Sequence, residues 1–122
     1  MSAEHTIELF SKIDENQTLK AGDVIFKVGD TGAVMYGVIS GTVAMQVDGN
    51  TVETIEAGDV FGEGALVHPD KRRRSTAIAQ CDCELAVLNE ERFKFLIENS
   101  PTFAIDVMRS YSDRLQRFKH VI

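Results

Sequence analysis

The chain has 122 residues, and 19 acidic against 13 basic side chains give it a formal net charge of −6. A hydrophobic content of 43% excludes a disordered chain, and the length predicts a single globular domain over residues 1–122. The acidic balance argues against a general nucleic-acid or anionic-membrane binder, and no apolar run approaches the ~18 residues of a membrane helix.

Residues 1–18 are predicted to form a short amphipathic helix followed by a turn. Ile7, Leu9, Phe10 and Ile13 are spaced roughly for one helical face. The segment lacks the basic start and the long apolar run of a signal peptide, so we expect a cytoplasmic protein.

Residues 19–88 have the pattern of short strands separated by turns. This stretch holds all nine glycines. In Thr42 to Val47, we expect Val43, Met45 and Val47 to face one side of the sheet. Asp48-Gly49-Asn50 is a strong hairpin signal, because glycine and asparagine accept the positive φ that a tight turn requires. The pattern predicts a mainly β fold, an antiparallel β jelly-roll barrel with flanking helices. The predicted strands lie at 24–26, 34–36, 42–47, 51–55, 75–79 and 85–88.

The two cysteines, Cys81 and Cys83, are predicted to be small apolar side chains buried in a core strand. Alternate Cα atoms of a strand lie ~6.5–7 Å apart, which is poor geometry for a disulfide. No second pair and no nearby histidine completes a metal site, so no metal is expected.

Residues 89–122 are predicted to be helical. Asn89 is suited to cap a first helix that ends near Asn99, and Ser100-Pro101 then resembles an N-cap followed by proline at the first helical position. In the second helix we expect one apolar stripe at three- and four-residue spacing, formed by Phe103, Val107, Met108, Tyr111, Leu115 and Phe118.

A Gly-rich segment followed by a basic run carries the strongest functional signal. Gly62 and Gly64 permit a backbone that exposes N–H groups to an anion, and Glu63 between them can accept hydrogen bonds from sugar hydroxyls. An arginine about ten residues later is placed to bind the same anion. Together these groups fit a ligand with adjacent phosphate and ribose hydroxyl. The simpler interpretations are an ordinary Gly-x-Gly turn, a solvated basic loop at 71–74 and a helix-capping role for Glu63.

The segment Phe61-Gly62-Glu63-Gly64-Ala65-Leu66, followed by an arginine and Ser75-Thr76-Ala77, resembles the phosphate-binding cassette of the cyclic nucleotide-binding domain family. The resemblance extends to Leu19 through Asp30, to Met35 through Gly41 and to Gly58 through Glu63, and it covers about residues 5–118. It implies the jelly-roll fold, with a cassette helix and two C-terminal helices. It also implies cyclic AMP or cyclic GMP as ligand, with cyclic AMP preferred.

The family pattern assigns a role to each cassette residue. Glu63 would accept from the ribose 2′-hydroxyl, and the N–H groups of Gly64 and Ala65 would meet the phosphate. Arg72, Arg73 and Arg74 compete for the phosphate; the register of the following strand, counted from Ala79, favours Arg73. The sequence departs from the pattern at Gly64 and at Arg74. The implied ligand-binding set is Phe61, Gly62, Glu63, Gly64, Ala65, Leu66, Arg73, Arg74, Ser75 and Thr76.

In this family the last helix lies over the base of the ligand and often dimerises. The candidate base-capping residues here are Tyr111, Asp113, Arg114, Leu115 and Phe118. The resemblance therefore implies a regulatory sensor that signals through this helix to an effector protein, with a homodimer as one arrangement. The simpler alternative is that the stripe only packs on the barrel.

Three other functions are weighed against this one. A metal-dependent enzyme is disfavoured, because His5, His68 and His120 lie in separate segments and no nucleophile constellation is recognisable. Direct DNA binding is disfavoured, since nothing follows Ile122 and the net charge is −6. The third is a protein-interaction module with the same fold and a pocket that binds no nucleotide; the two cassette departures favour it.

Overall fold

The structure, a computed structural model, describes residues 3–13 and 15–121, and their side chains except those of residues 3, 5 and 118–121. Four helices and eight strands follow one another along the chain. They are α1 (Ala3–Ser11), β1 (Asn16–Leu19), β2 (Val24–Phe26), β3 (Val34–Ser40), β4 (Val43–Val47), β5 (Asn50–Ile55), β6 (Val60–Phe61), α2 (Gly64–Val67), β7 (Thr76–Ala79), β8 (Cys83–Asn89), α3 (Glu90–Asn99) and α4 (Pro101–Val121). No helix in the described ranges is both long and apolar enough to cross a bilayer.

The strands form two four-stranded antiparallel sheets. Their orders are β1-β8-β3-β6 and β2-β7-β4-β5, so neighbours in each sheet are mostly distant in sequence. This jelly-roll-like arrangement confirms the predicted fold class. The strands do not close into one hydrogen-bonded barrel; they form two sheets that face each other.

The central strands of the first sheet, β3 and β8, are buried on both faces. Their successive side chains point to opposite sides and enter two different clusters. On β3, Tyr36 and Val38 point between the sheets, where Phe61 and Leu85 also pack. Met35, on the opposite face, packs with the helical layer, in a cluster formed by Phe10, Ile13, Met35, Val60, Ala86, Leu88, Leu96 and Phe103. The helices α1, α3 and α4 are thereby held against the sheet that carries β6, the strand that leads into the cassette.

The hairpin prediction is confirmed, and the predicted alternation of β4 holds only in part. Asp48 and Gly49 both have positive φ, at 52° and 80°, between paired strands. Val43 and Met45 face the core as expected. Val47, beside the turn, is 40% exposed, and Ala44 on the other face is buried. The end of β4 at the hairpin therefore extends past the core, and Val47 is partly exposed although it lies on the inward-facing side of the strand.

The N-terminal segment differs from the predicted helix and turn. The helix ends at Ser11, and Asn16–Leu19 pairs with β8 as an edge strand. Only Leu19 of this strand is buried, so its polar sequence carries no apolar alternation to reveal it. Residues 1, 2 and 14 of this segment lie outside the described residues.

The predicted cysteine placement is wrong for Cys81. Only Cys83 lies on a strand and is buried, at the start of β8. Cys81 is exposed in the bend between β7 and β8, since the chain changes sheets there.

The two C-terminal helices begin and end as predicted. Asn89 caps α3 by accepting the N–H of Arg92 at 2.7 Å, and α4 starts at Pro101. The buried face of α4 differs from the predicted apolar stripe. Met108 and Leu115 are 63% and 60% exposed. Phe103 of the predicted stripe is buried, and the other buried positions of α4 hold polar side chains, namely Asp106, Ser110 and Arg114. Ser110 donates to the Asp59 carboxylate just before β6, and Arg114 donates to the Val60 carbonyl in β6, which explains the placement of these two residues.

Candidate functional site

A cavity of about 230 Å³ lies between the cassette, the second sheet and α4. Most of the residues that the family resemblance implies as ligand-binding are on its wall. The lining residues are Phe26, Met45, Glu53, Phe61, Gly62, Glu63, Gly64, Ala65, His68, Arg72, Arg73, Arg74, Ser75, Tyr111, Arg114 and Leu115.

The cassette loop turns sharply after β6 because Gly62 adopts a φ of +78°, in the left-handed region that favours glycine. Glu63 opens the short helix α2 but its carboxylate does not cap it. The N–H of Ala65 makes only a long, 3.4 Å hydrogen bond to the Gly62 carbonyl. Among the described residues no hydrogen bond is donated by the Gly64 N–H. The loop thus presents backbone donors and a carboxylate together at the cavity.

Arg73 is buried beside this loop, with 6% of its surface exposed. Its Nη1 donates to the Gly62 carbonyl and its Nη2 to the Val34 carbonyl, both at 2.8 Å. Its Cζ lies 4.1 Å from the centroid of the Phe26 ring. A Cβ at Gly32 would lie 2.5 Å from the guanidinium, so only glycine leaves room for this side chain there.

The charge of Arg73 lacks a close counter-charge in the described part of the chain. None of the ion pairs there includes Arg73. Burial lowers the pKa of its guanidinium, although Tyr36, Glu63 and Asp30 act in the opposite direction. A buried cation of this kind favours an anion nearby, because an unneutralised charge is costly to remove from water.

The other two candidate arginines lie at the rim. Arg74 donates to the Arg72 carbonyl at 2.9 Å and pairs with Asp70 at 3.3 Å, with its side chain 55% exposed. Arg72 is exposed and forms an isolated backbone bridge with Thr31. Exposed ion pairs of this kind contribute little to stability. Of the three arginines, Arg73 is buried, whereas Arg72 and Arg74 are exposed at the rim.

Helix α4 closes the other side of the cavity. The Tyr111 hydroxyl donates to the Glu63 carboxylate through a short hydrogen bond. Burial, and then the Glu63 charge, raises the pKa of the Tyr111 phenol, which therefore stays protonated as a donor. Arg114 donates to the Glu53 carboxylate and to the Val60 carbonyl, and its Cζ lies 4.4 Å from the Tyr111 ring centroid.

The cavity wall is positive although the chain is acidic. Arg72, Arg73, Arg74 and Arg114 face two carboxylates, Glu53 and Glu63, which gives a formal charge of 4 − 2 = +2 with His68 counted as neutral. The whole chain carries −6. A positive, partly desolvated wall attracts an anionic ligand.

Three of the candidate residues whose side chains are described are not on the wall. Leu66 packs into the helical-layer cluster. The Thr76 hydroxyl accepts the Val28 N–H at 3.0 Å, which holds it in the sheet. Asp113 lies on a separate depression with Asp59 and Asp106. The Phe118 side chain lies outside the described residues.

Several lining residues were missed by sequence reasoning. Phe26 and Met45 follow ordinary strand patterns, and Glu53 meets Arg114 across 61 residues of chain. No local signal distinguishes them. Gly64 has a structural consequence of its own: a Cβ there would lie 3.2 Å from the His68 ring, so glycine lets that ring approach the wall. No cluster of three metal-ligating side chains occurs in the ranges 3–13 and 15–121.

Comparison with known proteins places this geometry in context. Residues 16–100 match the family described as "Cyclic nucleotide-binding domain". The cAMP-dependent protein kinase regulatory subunit of Eremothecium gossypii is 33% identical over 100 residues, 73% of this chain and 22% of that protein. The cAMP-activated global transcriptional regulator CRP of Pasteurella multocida is 26% identical over 120 residues, 94% of this chain and 57% of that protein.

A solved structure agrees with these sequence relationships. The catabolite activator protein of Thermus thermophilus superposes with a TM-score of 0.71 at 27% identity, covering 94% of this chain and 56% of that one. The chain thus spans between about a fifth and about three fifths of these relatives. The relatives are regulatory proteins by name. With its two-sheet fold, its cassette and this match over residues 16–100, the chain belongs to the cyclic nucleotide-binding domain family.

Proposed function

We propose that the cavity binds a cyclic nucleotide and that the chain acts as a regulatory sensor. The observation that carries the proposal is the buried guanidinium of Arg73, which no described carboxylate pairs, on a cavity wall of formal charge +2. The cyclic phosphate neutralises it and also accepts from the backbone N–H groups of Gly64 and Ala65. The ribose 2′-hydroxyl donates to the Glu63 carboxylate.

Cyclic AMP is the proposed ligand in preference to cyclic GMP. Support comes from the relatives, one named as cAMP-dependent and another as cAMP-activated. Tyr111, Arg114 and Leu115 are the proposed base cap, since they are the α4 residues on the wall. Phe118 remains a further candidate for this role.

Signalling is proposed to pass through α4. The ribose hydroxyl and the Tyr111 hydroxyl compete for the same Glu63 carboxylate, so binding breaks a direct contact between α4 and the cassette. The exposed apolar side chains Ile105, Met108 and Leu115 on this helix are the proposed surface for an effector protein or a second copy of the chain. Residues 1–122 are proposed to form one regulatory, non-catalytic domain in the cytoplasm, without direct DNA binding.

The proposed binding mode is tested by titrating the protein with cyclic AMP, 2′-deoxy cyclic AMP and non-cyclic AMP. In the wild type we expect the deoxy analogue to bind about 10- to 100-fold more weakly, because it loses a hydrogen bond to a charged group. In Glu63→Ala, which removes the acceptor, this difference should largely vanish, and in Glu63→Gln it should shrink to a few-fold because the amide oxygen still accepts but carries no charge. Equal binding of cyclic AMP and its deoxy analogue by the wild type would contradict the Glu63 role, and equal binding of AMP would contradict recognition of the cyclic phosphate.

A second candidate function is a protein-interaction module whose cavity binds no nucleotide. The contact between Tyr111 and Glu63 favours it, because it satisfies the carboxylate without a ligand. Arg74 also occupies a position where the family has a small residue. In that case none of the three nucleotides would bind, while α4 would still carry the interaction surface.

A further inference from the structure

The bend between β7 and β8 places two thiols against Thr42, away from the nucleotide cavity. Cys81 is exposed, and Cys83 at the start of β8 is 2% exposed. The cavity lining includes neither of them. Because the chain bends at Cys81, the extended spacing of a strand, which separates alternate residues too far for a disulfide, does not apply.

The turn between β3 and β4, which follows Gly41, contacts both sulfurs through Thr42. The Cys83 Sγ donates to the Thr42 carbonyl at 3.2 Å and to the Cys81 carbonyl at 3.1 Å. The Thr42 hydroxyl lies 3.7 Å from the Cys81 Sγ. Both sulfurs therefore contact Thr42, that of Cys81 through the threonine hydroxyl and that of Cys83 through the threonine carbonyl.

Neighbouring contacts fix the bend itself. The Gln80 N–H donates to the Thr42 carbonyl at 3.0 Å, and the Asp82 carboxylate accepts the Ala21 N–H at 3.2 Å. A Cβ at Gly41 would lie 2.7 Å from the Cys83 Sγ, so glycine lets the turn approach the sulfur. The backbone on both sides of the pair is thus anchored, and both sulfurs are held at Thr42.

The surroundings of the two thiols shift their pKa values in opposite directions, as expected when one thiol reacts with an oxidant first and the other reacts second. Hydrogen bonding from Thr42 lowers the pKa of the exposed Cys81 thiol. Burial raises the pKa of the Cys83 thiol. A thiolate that is accessible is the nucleophile toward oxidants, and a second, protected thiol beside it resolves the product.

We propose that Cys81 and Cys83 form a peroxide-sensitive thiol pair that closes reversibly into an intrachain disulfide. The Cys81 thiolate attacks one oxygen of a hydroperoxide; the O–O bond breaks, Cys81 becomes a sulfenic acid, and the leaving oxygen takes a proton to give water or an alcohol. Cys83 then loses its proton and attacks the Cys81 sulfur. The S–S bond forms, the S–O bond breaks, and the released hydroxide takes that proton to give water. In total, the two thiols are oxidised by two electrons to one disulfide, and one hydroperoxide molecule is reduced.

The test is mass spectrometry of the reduced, folded protein after treatment with hydrogen peroxide and alkylation of the remaining thiols. Trypsin cleaves after Arg74 and Arg92, so both cysteines lie in one peptide. We expect this peptide to become lighter by two hydrogen atoms, with no alkyl group added, and to recover both thiols after dithiothreitol. In Cys83→Ser, Cys81 should accumulate sulfenic acid that dimedone traps. In Cys81→Ser, Cys83 should stay reduced over the same time.

Thr42→Val tests the local geometry, because it removes the hydroxyl but keeps the shape of the side chain. We expect disulfide formation to slow several-fold in this variant. The proposal is overturned if the wild-type peptide gains only oxygen, if both cysteines remain alkylatable while free cysteine is oxidised, or if the disulfide joins two chains on a non-reducing gel. These outcomes are independent of nucleotide binding.

Discussion

The guanidinium of Arg73 is held between the Phe26 ring and Gly32, with two backbone carbonyls as acceptors. Arg72, its neighbour in the chain, is exposed. This contrast provides a matched pair of variants. Both arginines belong to the positive wall, so a general loss of positive charge would affect the two variants alike, whereas a phosphate-binding role would affect Arg73 alone.

Arg73→Ala should weaken cyclic nucleotide binding by about tenfold or more, because it removes the charged fork that donates hydrogen bonds to the phosphate. Arg72→Ala should leave binding nearly unchanged. Titration calorimetry on both variants, with thermal unfolding to confirm that each is folded, makes the comparison. Equal losses in the two variants would show that the phosphate assignment is wrong.

Gly32 positions Arg73 without lying on the cavity wall. A methyl group there would meet the guanidinium at 2.5 Å, and the backbone of Gly32 does not have a positive φ. We therefore expect Gly32→Ala to remain folded, to shift Arg73 and to weaken nucleotide binding several-fold. Gly49→Ala is the control: its φ of +80° strains the hairpin, but no atom lies near the added methyl group. That variant should lose about 1–2 kcal/mol of stability and keep its affinity.

At this scale the sequence predicts some residues of the site and not others. Glu63, Gly62 and Arg73 lie within one short segment, and the family pattern with the strand register identifies them. Glu53 and Phe26 reach the wall only because two sheets and a helix converge there. The burial of Arg73 is also invisible in a run of four basic residues, which is typical of a solvated loop.

At the scale of elements, the contact between α4 and the cassette depends on one hydroxyl. Tyr111→Phe removes the donor to Glu63 and keeps the ring. We expect cyclic nucleotide affinity to rise about two- to tenfold, since the ribose no longer displaces this hydrogen bond. Tyr111→Ala also removes the proposed base contact and should gain less or lose affinity. An unchanged or weaker affinity in Tyr111→Phe would mean that the hydroxyl does not compete with the ligand.

Arg114 anchors the same helix to β5 and β6. Arg114→Ala leaves the Glu53 carboxylate and the Val60 carbonyl without this donor, and we expect the free energy of unfolding to fall by about 2–3 kcal/mol. Arg117, on the next turn, is exposed, and Arg117→Ala should change stability by about 0.5 kcal/mol or less. Urea denaturation measures both. Similar values for the two variants would rule out an anchoring role for Arg114.

The start of α3 and the break between α3 and α4 follow from Asn89 and Ser100-Pro101, but the buried face of α4 does not follow from hydrophobicity. Met108 and Leu115 continue the apolar spacing and are exposed, whereas Ser110 and Arg114 are buried. Their partners, Asp59 and Val60, are about fifty residues earlier. A polar contact across that separation carries no periodic signal. For the same reason, the polar edge strand β1 escapes a search for alternating apolar residues.

At the scale of the whole molecule, frequent glycines and short β-rich runs predict an antiparallel jelly-roll barrel. The jelly-roll-like fold agrees, but its strands form two separate sheets and do not close into one barrel. The order of strands within each sheet does not follow from local patterns, because most neighbouring strands are far apart in the chain. That order brings the cassette, β5 and α4 to one cavity. The acidic net charge of the chain likewise gives no indication of a positive wall inside it.

The central claim is that this cavity binds a cyclic nucleotide. Thermal unfolding of the wild-type protein, alone and with cyclic AMP, cyclic GMP or non-cyclic AMP, tests it most directly. A ligand at a hundred times its dissociation constant stabilises the folded state by about 2.7 kcal/mol, so we expect the unfolding temperature to rise by several degrees with cyclic AMP, less with cyclic GMP and not with AMP. The same unfolding temperature in all four samples would contradict the claim and favour an interaction module with a silent cavity.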